Sequence, residues 1–184
     1  LADLQGLIEK KIKSPTTNRE GKKNKKVIIF TAFSDTASYL YDQLLPFAKA
    51  NQVHIALVVG SGSNQTTLGN TKFQEILTNF SPISKGRDKL IRLPQDEEID
   101  ILVATDCISE GQNLQDCVYL INYDIHWNPV RVIQRFGRID RLGSKNDLVQ
   151  LVNFWPTKDL DNYIKLKTRV ESRMALVDIS ATNE

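Results

Sequence analysis

The first dozen residues place apolar side chains at Leu1, Leu4, Leu7, Ile8 and Ile12, the three-and-four spacing of a single helix face. From Ser14 to Lys26 the chain turns polar and basic around Pro15 and Gly21, which predicts an exposed linker after a short helix. Beyond Val27 short β-branched runs alternate with longer helical stretches, the pattern of a parallel α/β sheet. The predicted strands are Val27 to Thr31, His54 to Val59, Ile101 to Ala104, Val118 to Asn122 and Leu148 to Asn153. Helices are predicted near Asp35 to Ala50, Leu68 to Phe80, Val130 to Arg141 and Leu160 to Leu176. Between Ser81 and Glu98, Pro82, Gly86 and Pro94 stand among mixed charges, which predicts an irregular surface excursion before the third strand.

A chain of 184 residues, 41% hydrophobic and 25% charged, fits one globular domain with a real core. Its 24 basic residues nearly balance 22 acidic ones, so net charge gives no argument for nucleic acid and any such role must rest on local clusters. Runs such as Val27 to Phe30 fall far short of the roughly 20 apolar residues a membrane helix needs, so no membrane partner is expected. Cys107 and Cys117 have neither a second pair nor clustered histidines, so no zinc site or disulfide framework is expected and a reducing, cytoplasmic location fits. With Leu1 first and no charged-then-apolar leader, the chain is expected to be cut from something longer.

Candidate chemistry concentrates in Gln134-Arg135-Phe136-Gly137-Arg138-Ile139-Asp140-Arg141, behind Pro129 in a helix-starting position. On a helical wheel Val132, Phe136 and Ile139 are read as one packing arc, with Arg131, Gln134, Arg135, Arg138 and Arg141 on the opposite one. Guanidinium forks match phosphate oxygens in geometry and charge, so phosphate is their natural counterpart; from charge alone a solvated basic face stays open. Gly137 costs a helix roughly 1 kcal/mol relative to alanine, which suggests a close approach of backbone or ligand there.

A second segment, Ile101 to Leu114, runs from a buried strand into a polar turn carrying Thr105, Asp106, Glu110 and Asn113, at the carboxyl edge where open α/β sheets bind ligands. A third runs from Val118 through Asn122-Tyr123-Asp124 and His126-Trp127-Asn128-Pro129, bringing Trp127 to the same edge, although a lone tryptophan more often packs. Ser34 and Asp35 after the first strand read as helix caps, and that helix start is also placed to bind phosphate.

In this order the segments resemble the C-terminal lobe of superfamily-two helicases, on the SWI/SNF-type side and with a bacterial cast. Q-R-F-G-R-I-D-R is similar to that superfamily's arginine-finger motif, and N-Y-D-I-H-W-N-P to the SWI/SNF branch; V-I-I-F-T-A-F-S-D-T-A, L-V-A-T-D-C-I-S-E-G-Q-N-L and N-F-W-P-T extend the likeness. The resemblance implies a RecA-like three-layer α/β domain, a mostly parallel central sheet flanked by helices. Residues 27–156 would be the lobe, 1–26 a lead-in helix and basic linker, and 157–184 a helical extension. It implies that Arg141 and Arg138 reach ATP phosphates, with Arg141 the preferred finger. Gln134, Gly111, Asn113 and Glu110 would lie at the nucleotide, and Thr31, Ser34, Thr105, Asp106 and Trp127 along the nucleic acid. Such contacts hold phosphates and do not read bases. The S-E-G-Q-N-L segment is poorer in glycine than that of eukaryotic remodellers, which leaves the role of Glu110 open.

No G-x-x-x-x-G-K-[ST] phosphate loop is present, and Asp96-Glu97-Glu98 precedes its strand where a magnesium-holding pair should follow one. The chain alone is therefore not expected to hydrolyse ATP. ATP with magnesium would be bound mainly by an N-terminal RecA-like lobe of the same parent, and the fragment is expected to be monomeric. The leading expectation is a translocase on double-stranded DNA. The alternatives are an unwinding DNA or RNA helicase and a non-catalytic scaffold lobe; without a G-x-G-x-x-G turn an unrelated dinucleotide enzyme is disfavoured.

Overall fold

The computed structural model describes residues 1–108, 111–124, 129–140, 144–146, 148–155, 168 and 171–172. Its elements in chain order are α1 (Ala2–Lys13), β1 (Thr16–Thr17), β2 (Lys23–Asn24), β3 (Val27–Phe30), α2 (Ser34–Ala50), β4 (His54–Val58), β5 (Gln65–Thr66), α3 (Phe73–Phe80), β6 (Ile99–Ala104), β7 (Tyr119–Asn122), α4 (Pro129–Phe136) and β8 (Gln150–Asn153). Six strands form one sheet in the order β5-β4-β6-β3-β7-β8, parallel throughout except for β5, which runs antiparallel to β4.

The sheet's two faces divide the core. Val27, Ile29, Ile55, Leu57, Ile101 and Val103 point to one side, against Leu4, Ile8 and Ile12 of α1 and Leu40 and Leu44 of α2. Ile28, Phe30, Ala56, Val58, Leu102 and Ala104 point to the other, against Ile76, Leu77 and Phe80 of α3 and Ile139 beyond α4. Both faces are buried, which is why these strands read as continuous apolar runs without alternation. The three-layer α/β architecture expected from the sequence is thus present.

Register fixes the edge that matters. Phe30 pairs with Ala104 and Asn122, Val58 with Ala104, and Asn122 with Asn153, so the carboxyl ends of β3, β4, β6, β7 and β8 are level. The segments leaving those strands emerge side by side at one rim.

Several expectations are corrected. The basic stretch after α1 is no plain linker: β1 and β2 pair antiparallel, and Asn18 Oδ1 accepts the N–H groups of Glu20 and Lys22 to close the turn. Lys26 is buried and pairs with Glu98 at 2.6 Å. Ser34 and Asp35 do not cap α2; Phe33 holds the capping position, without a side-chain cap bond, and Ser34 is already helical. The third helix starts at Phe73, not Leu68, since Gln65–Thr66 pairs with β4 instead. The 81–98 excursion is irregular as expected, yet buried Arg87 anchors it by donating to the carbonyls of Glu97 (2.7 Å) and Gln95 (3.3 Å). The predicted helix from Leu160 to Leu176 falls almost wholly outside the described residues.

Candidate nucleotide and nucleic-acid edge

At the level rim, four segments converge. The turn Thr31–Ser34 follows β3, the Gly60–Asn64 loop follows β4, Thr105–Ile108 follows β6, and Asn122–Asp124 closes β7. Hydrogen bonds stitch them together. Thr31 N–H donates to the Ala104 carbonyl at 3.0 Å and Thr105 N–H to that of Val58 at 3.1 Å. Gly60 N–H donates to Thr105 Oγ1 at 3.3 Å, and the hydroxyls of Ser34 and Ser61 meet at 3.1 Å.

Arg135 overturns the helical-wheel reading. It is fully buried, not displayed with the other arginines. Nε and Nη2 grip both oxygens of Asp106 at 2.6 and 3.0 Å, while Nη1 donates to Asn122 Oδ1 at 2.9 Å and the Asp124 carbonyl at 3.2 Å. The guanidinium also lies 5.3 Å from the centre of the Phe30 ring. The reason was present in the wheel: at ~100° per residue Arg135 falls only ~40° from Ile139, at the margin of the packed arc. Of that face, Arg131, Gln134 and Arg138 are left partly exposed among the described residues.

Three residues expected along the nucleic acid take part in intramolecular bonds here. Asp106 has both carboxylate oxygens committed to Arg135. Thr31 is buried and its hydroxyl donates to Asp124, whose other oxygen accepts Ala32 N–H at 2.7 Å. Thr105 is likewise buried, with its hydroxyl oxygen taking the Gly60 N–H. Within this fold their polar groups hold the rim together. Ser34 and the neighbouring Ser61 remain at the surface beside Phe33, whose ring is 66% exposed.

In the arginine segment, α4 ends at Phe136, so Arg138 sits in the turn after the helix and not within it. Its carbonyl accepts Leu114 N–H at 3.0 Å, which ties the arginine turn to the loop carrying Gly111 and Asn113. Gly111 has φ +72° with open space where a Cβ would stand, so backbone conformation demands the glycine. Asn113 Oδ1 accepts Gln115 N–H at 3.2 Å, and Gln112 Oε1 receives Lys85 Nζ at 2.8 Å. Burial lowers the Lys85 pKa from its ordinary value, with Asp116 opposing. Gln134 Oε1 is buried and has no hydrogen-bond partner among the described residues. A Cβ on Gly137 would make only ordinary contacts, 3.6 Å from the Ile133 carbonyl oxygen, so among the described residues no backbone approaches closely there. Arg141, Glu110, Trp127 and His126 lie outside the described residues.

Sequence reading missed the Gly60–Asn64 loop and the structural duty of Arg135. The run Gly60-Ser61-Gly62-Ser63-Asn64 after a buried strand was the available signal for the first. Among the described residues no group of three or more His, Cys, Asp or Glu side chains is placed to hold a metal, and no helix is long and apolar enough to cross a membrane.

Comparison with known proteins accords with this geometry. The "Uncharacterized ATP-dependent helicase YqhH" of Bacillus subtilis is 53% identical over 51 residues, 28% of this chain and 9% of that protein. The "Putative ATP-dependent DNA helicase fml2" of Schizosaccharomyces pombe is 33% identical over 132 residues, 72% of this chain. The chain spans 15% of that relative's length. A crystal structure of the C-terminal part of the Fun30 ATPase domain superposes with a TM-score of 0.59 at 18% identity, covering 89% of this chain and 43% of that one, and so shares the fold. The model of the helicase conserved C-terminal domain matches residues 7–143, and the chain belongs to that family, the C-terminal domain of superfamily-two helicases.

Proposed function

We propose that this chain is the second lobe of an ATP-driven translocase of the SWI/SNF type, moving on double-stranded DNA and inactive without its N-terminal RecA-like partner. The observation that carries the reading is the joining of two ligand edges in one rim. Arg138 and the Gly111–Leu114 loop are bonded to each other on one side, and the Ser34–Ser61 pair lies on the other. The N-Y-D-I-H-W-N-P run in the sequence supports the SWI/SNF assignment.

ATP bound mainly by the other lobe would present its phosphates to Arg138 and Arg141, with magnesium held by that lobe. Among the described residues Gln134 Oε1 is a buried acceptor without a partner, a costly state that a donor such as a nucleotide ribose hydroxyl would relieve, and that phosphate oxygens would not. Gly111 and Asn113 would border the nucleotide, Glu110 beside them. Guanidinium groups there would neutralise charge developing on the transferred phosphoryl group. Ser34 and the 60–64 loop would meet the nucleic-acid backbone, as the family resemblance also implies for Trp127, while Thr31, Thr105 and Asp106 would shape that surface from behind. Lobe closure would complete the site, and reopening would shift the grip on the strand. A cytoplasmic, monomeric fragment of a larger protein fits this reading.

An unwinding helicase is the second reading, favoured by the similarity to the fission-yeast protein named as a DNA helicase. Turnover of ATP by the full-length parent separates the two. Blunt duplex DNA is expected to stimulate fully; a requirement for a single-stranded tail, or stimulation by RNA alone, contradicts the translocase assignment.

A further inference from the structure

A continuous polar chain runs beneath the rim and belongs to neither ligand edge. Arg135 spends its fork on four oxygens: both of Asp106, Asn122 Oδ1 and the Asp124 carbonyl. Asp124 in turn receives the Thr31 hydroxyl and the Ala32 N–H, the turn that leads into Phe33 and Ser34. At the other end the Arg135 carbonyl accepts Arg138 N–H at 3.1 Å. One buried residue, acting through Asp124 on one side and its own backbone carbonyl on the other, thus links the turn after β3 to the arginine turn.

Stability alone does not explain this choice, because a well-packed apolar side chain fills such a space without desolvating a charge. A planar fork held by acceptors on two segments, after β6 and at the end of β7, fixes direction as well as distance, which a point charge does not. Thr31, Asp124 and Asp106 sit on three different strand ends, so a shift of any one is passed to α4 through the same guanidinium. We propose that Arg135 is a positioning residue that couples the nucleic-acid turn to the arginines beyond α4, making ATP turnover responsive to the bound strand. The proposal rests on the nucleic-acid-stimulated ATPase reading above.

The test uses the full-length parent and reads one ratio: ATP turnover with saturating duplex DNA over turnover without it. A merely structural lesion lowers the folded fraction, reduces both rates together and leaves the ratio unchanged. Arg135→Lys, which keeps the charge and loses the fork, is expected to lower the ratio at least about tenfold with duplex affinity held within about threefold. Asp124→Asn, at the far end of the chain, is expected to do the same and decides the matter if Arg135→Lys does not fold. An unchanged ratio in either folded variant overturns the coupling. A wild type that no nucleic acid stimulates overturns the ATPase reading and the coupling with it; a stimulated wild type beside unchanged variants overturns the coupling alone.

Discussion

Buried polar side chains decide most at the residue scale. Arg135 has no exposure and Asp106 keeps 19% of its side chain exposed, so Arg135→Met leaves a carboxylate largely desolvated and unpaired. Breaking such a pair costs about 3 kcal/mol, the low end for fully buried pairs because Asp106 retains some water; denaturant unfolding of the chain checks it. Gly111→Ala meets no steric obstacle but must hold φ +72°, for which an alanine pays about 1–2 kcal/mol. Its unfolding free energy, read from denaturant titration, should fall by that amount. Cys117 is fully buried, and burial pushes its thiol pKa up from 9.0 to about 11. A raised pKa favours the folded state while the thiol stays protonated, so this contribution is intact below about pH 9 and is lost as pH rises towards about 11. Burial also raises the Tyr41 and Tyr119 pKa values, which deepens the same alkaline decline. Cys117→Ala should therefore show a shallower fall in stability over that window. At this scale the sequence did not show which rim residues are buried: burial of Thr31, Thr105 and Arg135 depends on segments far apart in the chain, which a local pattern does not register.

Elements with long, consistent patterns were legible. The strands that form the centre of the sheet were placed within two residues, because burial on both faces leaves unbroken apolar runs. Two-residue strands escaped: Thr16–Thr17, Lys23–Asn24 and Gln65–Thr66 are too short to carry any periodicity. Helix α4 was drawn too long, since the run to Arg141 kept a helical spacing past Phe136, where Gly137 to Ile139 turn away. Helix α2 keeps Pro46 inside it, where the ring removes one N–H donor from the ladder. Pro46→Ala should stabilise the chain by about 1–3 kcal/mol, read from thermal unfolding, with the rim unaffected.

For the whole molecule, the proposed division of labour between two lobes is central. On that proposal this chain would offer arginines and a nucleic-acid surface on one rim, while neither its sequence nor its described residues offer a phosphate loop or a metal cluster. Family and lobe were legible because Q-R-F-G-R-I-D-R and the segments around it stand in order; the polar chain linking the two edges emerged only once β3, β6 and β7 were brought into register. The most direct test is ATP turnover of the full-length parent with and without duplex DNA, comparing wild type with Arg138→Ala and Arg141→Ala after confirming that each folds. DNA-stimulated turnover that drops at least about a hundredfold in one or both variants is the expected result, conservative against the 10³–10⁵ range for arginine fingers. Stimulated turnover left intact by both substitutions would contradict the account.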